Sequence, residues 1–410
     1  MCRLGKLRST LVRMACVAVM LHASQKLAAV FSGVYMHSQI VDKKDLQCYI
    51  YLELKILFFN INDPSFSSLI LNTTNGNVNP KEESAMNGLK GIHHVTAITS
   101  SAEKNYQFFT FVLGMRLVKK TVNQDDIQTY HLFFADDKGS AGTDMTFFDF
   151  PGIPKGVHGT NEISKTSFRV PSDAALDYWV KRFDRMNVKH FGIKEMFGKK
   201  TLSFVDFDDQ QYQLISDENN EGVPSGTPWQ KGPIPLEYAI TGLGPIFVRI
   251  ANFDYFKEVL EKAMEFKEIA KEGSFHLFEV GEGGNGAQVV VEYNAVLPPS
   301  RQGFGTVHHA AFRVEDRSAL EHWIKRMGQF GFSTSGYVDR HFFESLYARV
   351  APQILFEFAT DGPGFMGDEP YETLGEKLSL PPFLEPKREQ IEKLVRPIDT
   401  VRSTIEFTKE

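Results

Sequence analysis

Cysteine is nearly absent: Cys2, Cys16 and Cys48 are the three in a chain of 410 residues. From Met86 onward there is none, which excludes a disulfide framework or a thiolate-ligated structural zinc over that part of the chain. Long apolar runs are also missing; nothing approaches the roughly 18 uninterrupted apolar residues of a membrane-spanning helix. No long basic run occurs, and 45 Lys plus Arg stand against 51 Asp plus Glu, a formal charge of −6. A mildly acidic chain of this kind is poorly suited to binding nucleic acid through its phosphates. Phenylalanine, by contrast, is abundant at 35 residues, which suits an aromatic-rich core or pocket. The apolar fraction of 42% and charged fraction of 23% are those of a soluble globular protein.

Composition shifts near Met86. Residues 1–85 hold all three cysteines, show no sustained period, and end in a polar stretch from Asn72 to Pro80 that reads as loop or disorder. Two readings compete. Arg3, Lys6, Arg8 and Arg13 precede a short apolar run, Met14 to Leu21, in the manner of a weak targeting segment. Alternatively, Lys81-Glu82-Glu83 can be encoded by a purine string resembling a ribosome-binding site just ahead of the Met86 codon. The second reading is favoured, so residues 1–85 are expected to be disordered or a mis-assigned start.

The rest of the chain repeats itself. Phe168 to Arg182 aligns without a gap on Phe312 to Arg326 at an offset of 144 residues, with Phe, Arg, Val, Ala, Leu, Trp, Lys and Arg coinciding. In each copy a short strand leads into a helix whose stripe is Leu176, Trp179, Val180, Phe183 or Leu320, Trp323, Ile324, Met327. That i, i+3, i+4, i+7 spacing buries one helix face against a sheet. Two weaker copies precede them. Ile92 to Ile98 reads as a strand, Ser100 and Glu103 as a capping box, and Tyr106, Phe109, Val112 and Leu113 as a helix stopping at Gly114. Pro245 to Ile250 leads similarly to Tyr255, Phe256, Val259, Leu260 and Met264. Alternating stretches follow each helix, so the expected class is α+β, built from four βαβββ modules. Modules one and two would span residues 86–220 and modules three and four residues 241–365. A Gly- and Pro-rich linker at 221–240 would join them, and a tail with one amphipathic helix near Pro386–Val395 would cover 366–410.

Among twelve histidines, two doublets stand out, His93-His94 and His308-His309, each in the first strand of a module. Side chains alternate along a strand, so one imidazole of each doublet can face the concave side of a sheet. Glu357 lies between Phe356 and Phe358, where a carboxylate is costly to bury unless it is paired or binds a cation. The bland readings are packed histidines and an edge glutamate facing water. The repeat weighs against them: at the same offset, module two keeps the framework but carries Ser164, Lys165 and Gln213 in place of His308, His309 and Glu357. Two imidazoles and one carboxylate with open coordination positions suit non-haem Fe(II); structural zinc would want a fourth protein ligand.

Gly91 to Thr96, Gly305 to Phe312, Phe343 to Tyr347 and Ile354 to Phe358 resemble the hydroquinone-type ring-cleaving dioxygenases. These belong to the vicinal oxygen chelate superfamily, alongside glyoxalase I and the extradiol catechol dioxygenases. The resemblance spans residues 86 to about 395. It implies two domains with cup-shaped mixed sheets, modules one and four facing each other across a metal, and modules two and three paired behind. It implies Fe(II) held by His94, His309 and Glu357. His93 and His308 would lie behind the ligands with Thr96 nearby, while Arg340 and Tyr347 would orient substrate oxygens. His308, with the usual near-neutral imidazole pKa, is the expected base. The implied reaction is O₂-dependent cleavage of a hydroquinone or catechol ring. A glyoxalase-type isomerase or lyase and a metal-free aromatic-binding protein are the alternatives. The expected partners are a small aromatic substrate and O₂, with no nucleic acid, no membrane and a homo-oligomer left open; the expected location is the cytoplasm.

Overall fold

The computed structural model describes residues 87–409; the leader and its boundary at Met86 lie outside the described residues. Four βαβββ modules follow one another. Module one is β1 (Ile92–Ile98), α1 (Ala102–Gln107), β2 (Arg116–Asn123), β3 (Asp126–Ala135) and β4 (Asp144–Phe148). Module two is β5 (Glu162–Val170), α2 (Asp173–Arg185), β6 (His190–Met196), β7 (Lys199–Val205) and β8 (Gln211–Ser216). Module three is β9 (Gly242–Ile250), α3 (Phe253–Glu258), β10 (Lys267–Glu272), β11 (Phe275–Glu279) and β12 (Gln288–Tyr293). Module four is β13 (Thr306–Val314), α4 (Arg317–Gln329), β14 (Ser333–Asp339), β15 (Phe343–Ala351) and β16 (Ile354–Pro363). In the tail, α5 (Arg388–Leu394) buries Ile391. No helix among the described residues is long and apolar enough to cross a membrane.

The modules pair across the chain. One curled eight-stranded sheet has the order β14-β15-β16-β13-β1-β4-β3-β2, joining module four to module one through the antiparallel pair β1·β13. The other, β10-β11-β12-β9-β5-β8-β7-β6, joins module three to module two through β5·β9. The helices pack between the sheets. Phe109 at the end of α1 contacts Phe134 and Phe147 of its own sheet and Tyr212 of the other, and Trp323 of α4 stacks on Phe358 at 4.9 Å. Burying large aromatic side chains in this way is the main stabilising term of such a core.

The residues that the repeat keeps turn out to be scaffolding. Arg182 and Arg326 each reach into the preceding module and donate to the last carbonyls of its helix: Val112 (2.9 Å) and Phe111 (2.7 Å) in one case, Ala263 and Lys262 (both 2.8 Å) in the other. Both of those helices end in a π-turn, Phe108–Val112 and Val259–Ala263, whose carbonyls would otherwise lack partners. Arg169 pairs with Asp217 and Arg313 with Asp361, residues that are again 144 apart. One local expectation shifts. Ser101, not Ser100, caps α1 through the Lys104 amide, because the Ser100 hydroxyl is already engaged by Asp208 (2.5 Å).

Candidate metal centre

The register of the central strand pair explains how the histidine doublets are presented. Ile92 aligns with Phe312 but His94 with Ala311, so His93 is the extra residue of a β-bulge. Thr96 aligns with His309 but Ala97 with Val307, so His308 is the extra residue of a second bulge. A bulge re-aims a side chain that simple alternation would send to the opposite face. Both rings of each doublet therefore meet: Nδ1 of His93 lies 2.9 Å from Nδ1 of His94, and Nδ1 of His308 lies 2.8 Å from Nδ1 of His309. Of the first doublet only His94 faces the cup, His93 turning to the Thr360 carbonyl, whereas both rings of the second doublet face it.

His94, His309 and Glu357 converge at the bottom of the cup formed by modules one and four. Nε2 of His94 and Nε2 of His309 are 3.3 Å apart and lie 3.1 and 3.0 Å from Glu357 Oε2. All three are buried. Ser345 donates to the other carboxylate oxygen at 2.5 Å, whereas Oε2 has no hydrogen-bond donor. Burial pushes the Glu357 carboxyl up; only imidazoles carrying a proton on Nε2 would hold it below the usual range, and bare Nε2 atoms give it no such support.

The hydrogen bonds behind the ligands dictate tautomers. His93 Nε2 is 3.0 Å from the Thr360 carbonyl, so that nitrogen carries the proton and Nδ1 must accept from His94 Nδ1–H. Nε2 of His94 is then a bare lone pair. The second doublet repeats the Nδ1–Nδ1 contact without a carbonyl behind His308; when His309 Nε2 serves as a ligand, its Nδ1–H donates to His308 and Nε2 is bare as well. Two lone pairs and a carboxylate oxygen within 3.3 Å repel one another unless a cation lies between them. The donor set fits a divalent metal ion with three protein ligands. Among the described residues no other group of His, Cys, Asp or Glu converges in this way.

His308, Arg340 and Tyr347 line a cavity of about 400 Å³ above the cluster, within the range of small-molecule sites, whereas His93 and Thr96 are buried outside its lining. Arg340 Nε donates to the Tyr347 hydroxyl at 3.1 Å while its Nη2 pairs with Asp125 at 3.0 Å. Burial and the Glu357 charge push the Tyr347 phenol up, so it stays a neutral donor. Thr96 Oγ1 lies 2.9 Å from His309 Nε2. The expectation of a near-neutral His308 is overturned: burial, and then His309, lower it to about 3. His93 falls to about 3 through burial and His94. Both are thereby held neutral, as the tautomer argument requires.

Sequence reasoning missed three residues. Ser345 sits inside a quoted motif without a role, yet it is the sole hydrogen-bond donor to Glu357 Oε1. Thr146 Oγ1 is 2.7 Å from Thr96 Oγ1, and His131 Nε2 is 2.9 Å from Thr146 Oγ1. Neither Thr146 nor His131 belongs to a doublet or a repeat match, so no local signal could have found them.

The second cup makes an internal control. Lys165 stands where His309 stands in the first, its ammonium 2.9 Å from Gln213 Oε1 and 3.8 Å from the centre of the Phe247 ring. A side-chain cation takes the place of a ligand histidine there, and the described residues hold no second His, Cys, Asp or Glu cluster.

A repeated βαβββ protein with one buried two-histidine, one-carboxylate cluster beneath an aromatic cavity is thus the class that fold and site define. Residues 91–213 match the Glyoxalase/Bleomycin resistance protein/Dioxygenase superfamily. The chain is 42% identical over 315 residues to the Bacillus subtilis (strain 168) protein named as ring-cleaving dioxygenase MhqA, covering 76% of this chain and 99% of that one. It is 30% identical over 310 residues to the chlorohydroquinone/hydroquinone 1,2-dioxygenase of Sphingobium indicum, covering 74% and 95% respectively. A crystal structure of a Bacillus subtilis protein titled as a dioxygenase superposes with a TM-score of 0.71 at 35% identity, covering 77% of this chain and 99% of that one. The chain belongs to the ring-cleaving dioxygenases of this superfamily.

Proposed function

We propose that this enzyme cleaves the ring of a hydroquinone with O₂, using one Fe(II) held by His94, His309 and Glu357. The observation that carries the reading is the convergence of two imidazole Nε2 atoms and a buried carboxylate oxygen within 3.3 Å under a Phe-lined cavity. The named activity of the Sphingobium relative supports a para-diol over a catechol. The chemistry supplied by bound Fe(II) is an electron path between an electron-rich ring and O₂, with open positions for both.

The chain's own residues do the rest. Phe133, Phe148 and Phe343 line the cavity and restrict water. The neutral Tyr347 hydroxyl accepts from Arg340 and donates its own proton to a substrate oxygen. His308 uses Nδ1 to orient His309 and offers Nε2–H as a donor. Strand pairing also favours a three-ligand site over the four-ligand isomerase alternative. The parallel pair β13·β16 aligns Ala311, two residues after His309, with Glu357. The matching pair β1·β4 aligns Thr96, two residues after His94, with Thr146. Thr146 therefore holds the counterpart position of Glu357, and a neutral hydroxyl supplies no second carboxylate.

The test is oxygen uptake by protein reconstituted anaerobically with Fe(II) and given hydroquinone or catechol in turn, with metal content measured alongside. One iron per chain and oxygen consumption with hydroquinone are expected. Glu357→Gln and His309→Ala should lose both. Turnover retained in either variant, or turnover without oxygen, would refute the reading.

A further inference from the structure

Two buried threonines link the candidate metal centre to a clamped imidazole, that of His131. Thr96 Oγ1 lies 2.9 Å from His309 Nε2, Thr146 Oγ1 lies 2.7 Å from Thr96 Oγ1, and His131 Nε2 lies 2.9 Å from Thr146 Oγ1. The direction of this chain follows from its ends. With His309 Nε2 unprotonated, as a metal ligand must be, the Thr96 hydroxyl donates to it in the metal-free protein. The Thr96 oxygen then accepts from Thr146, and the Thr146 oxygen accepts from His131 Nε2–H. Each hydroxyl thus has one donor behind it and one acceptor ahead, and the whole chain points at the site.

His131 is built to hold that polarity. Its ring is clamped between Phe133 at 4.0 Å and Phe148 at 4.4 Å, which fixes its plane. Burial and the neighbouring His94, His309 and Arg340 lower its pKa well below the ordinary value, so it stays a neutral ring with one donor. The chain also occupies the side of the cluster where Thr146 stands in for a second carboxylate. A carboxylate there would repel an anionic guest, whereas a hydroxyl donor attracts one.

We propose that His131 and Thr146 are positioning residues that hold the Thr96 hydroxyl as a donor for an anionic oxygen, a phenolate above all, bound beside His309 in this cavity. The inference rests on the proposed metal-dependent reading. Once the lone pair of His309 Nε2 is committed to an ion, the Thr96 hydroxyl loses its acceptor. Thr96 lies just behind the cavity wall at His309, so a guest oxygen seated against His309 is the proposed replacement. Thr96 cannot turn its proton the other way, because Thr146 already donates to its oxygen. A preorganised donor aimed at developing negative charge acts without reorganisation in a site from which water is restricted.

Two measurements test the chain apart from oxygen chemistry. The first is ¹⁵N NMR of the metal-free protein, which should show His131 as the Nε2–H tautomer. Thr146→Val should erase that preference and Thr146→Ser restore it. The second is anaerobic binding of nitrohydroquinone, whose phenolate absorbs in the visible, to protein reconstituted with Fe(II). Thr146→Val and His131→Phe should keep full metal content but bind the phenolate form at least tenfold more weakly, with kcat falling about 10²- to 10³-fold where turnover is measured. Thr146→Ser should restore both. Wild-type probe affinity in Thr146→Val, absence of the Nε2–H tautomer, or failure of the wild type to bind the probe would each overturn the proposal. If the wild type binds the probe as expected yet consumes no oxygen with hydroquinone, the donor chain stands and the dioxygenase reading of its substrate falls.

Discussion

At the residue scale, the site is a problem of unshared electron pairs. Glu357 is completely buried, and Ser345 satisfies one of its oxygens while the other is left to face two imidazole nitrogens. Ser345→Ala should leave the fold intact but weaken metal binding by roughly 10- to 100-fold, as loss of a ligand's supporting hydrogen bond does; competitive metal titration measures it. Proton linkage is the other consequence. His93 and His308 are lowered to about 3 by burial and by the ligand histidine beside each. The unfolded chain binds those protons below about pH 6.5, whereas the fold does not. The stability they contribute is therefore complete above about pH 6.5 and is lost as pH falls toward 3, by about 1.4 kcal/mol per pH unit for each group. Urea denaturation of metal-free protein at pH 7, 6 and 5 should show this slope, and His308→Asn should remove about one proton's share of it. Of these residues, His94, His309 and Glu357 were legible from the doublets and the odd carboxylate. His131 and Thr146 were not, because a single polar residue in an alternating strand carries no local mark.

At the element scale, the repeat separates structure from chemistry. Arg182 and Arg326 recur because each closes the π-turned end of the helix in the preceding module. Arg182 is buried, whereas the Arg326 side chain is 23% exposed. Removing a buried charged donor strands two carbonyls, at a cost of about 2–3 kcal/mol. Arg182→Ala should therefore destabilise more than Arg326→Ala in urea denaturation, with oxygen uptake retained in folded protein. The strands least legible in the sequence are β6, β10 and β14. Each begins its module's path away from the sheet centre and is largely solvent-facing, so their alternation is blurred by charge, as in Lys267–Glu272. The bulges at His93 and His308 were equally hidden, since a bulge is a property of two strands paired together.

At the scale of the whole molecule, one of two equivalent cups carries the metal-type donor set. In the other, Lys165 takes the place of a ligand histidine, its ammonium held by Gln213 and the Phe247 ring and lowered to about 8 by burial. One metal per chain is the expected stoichiometry by elemental analysis; two would require a site in the Lys165 cup. Because the donors come from β1, β13 and β16, a metal bound by them would tie the first module to the last. Free metal at 100 times Kd should stabilise the apo fold by about 2.7 kcal/mol, read as a rise in Tm that Glu357→Gln abolishes.

The amino-acid sequence by itself determined the module count, the helix faces, the scaffold residues shared at the 144-residue offset and the candidate ligand types. These are written in local periodicity and in self-similarity, which need no knowledge of distant contacts. Only the tertiary structure decided the register between module one and module four, that two bulges turn both rings of each doublet together, and that His131 reaches the site through two threonines. Those facts depend on the register between strands more than 200 residues apart, and register is set by the packing of the whole fold and not by any stretch of chain alone.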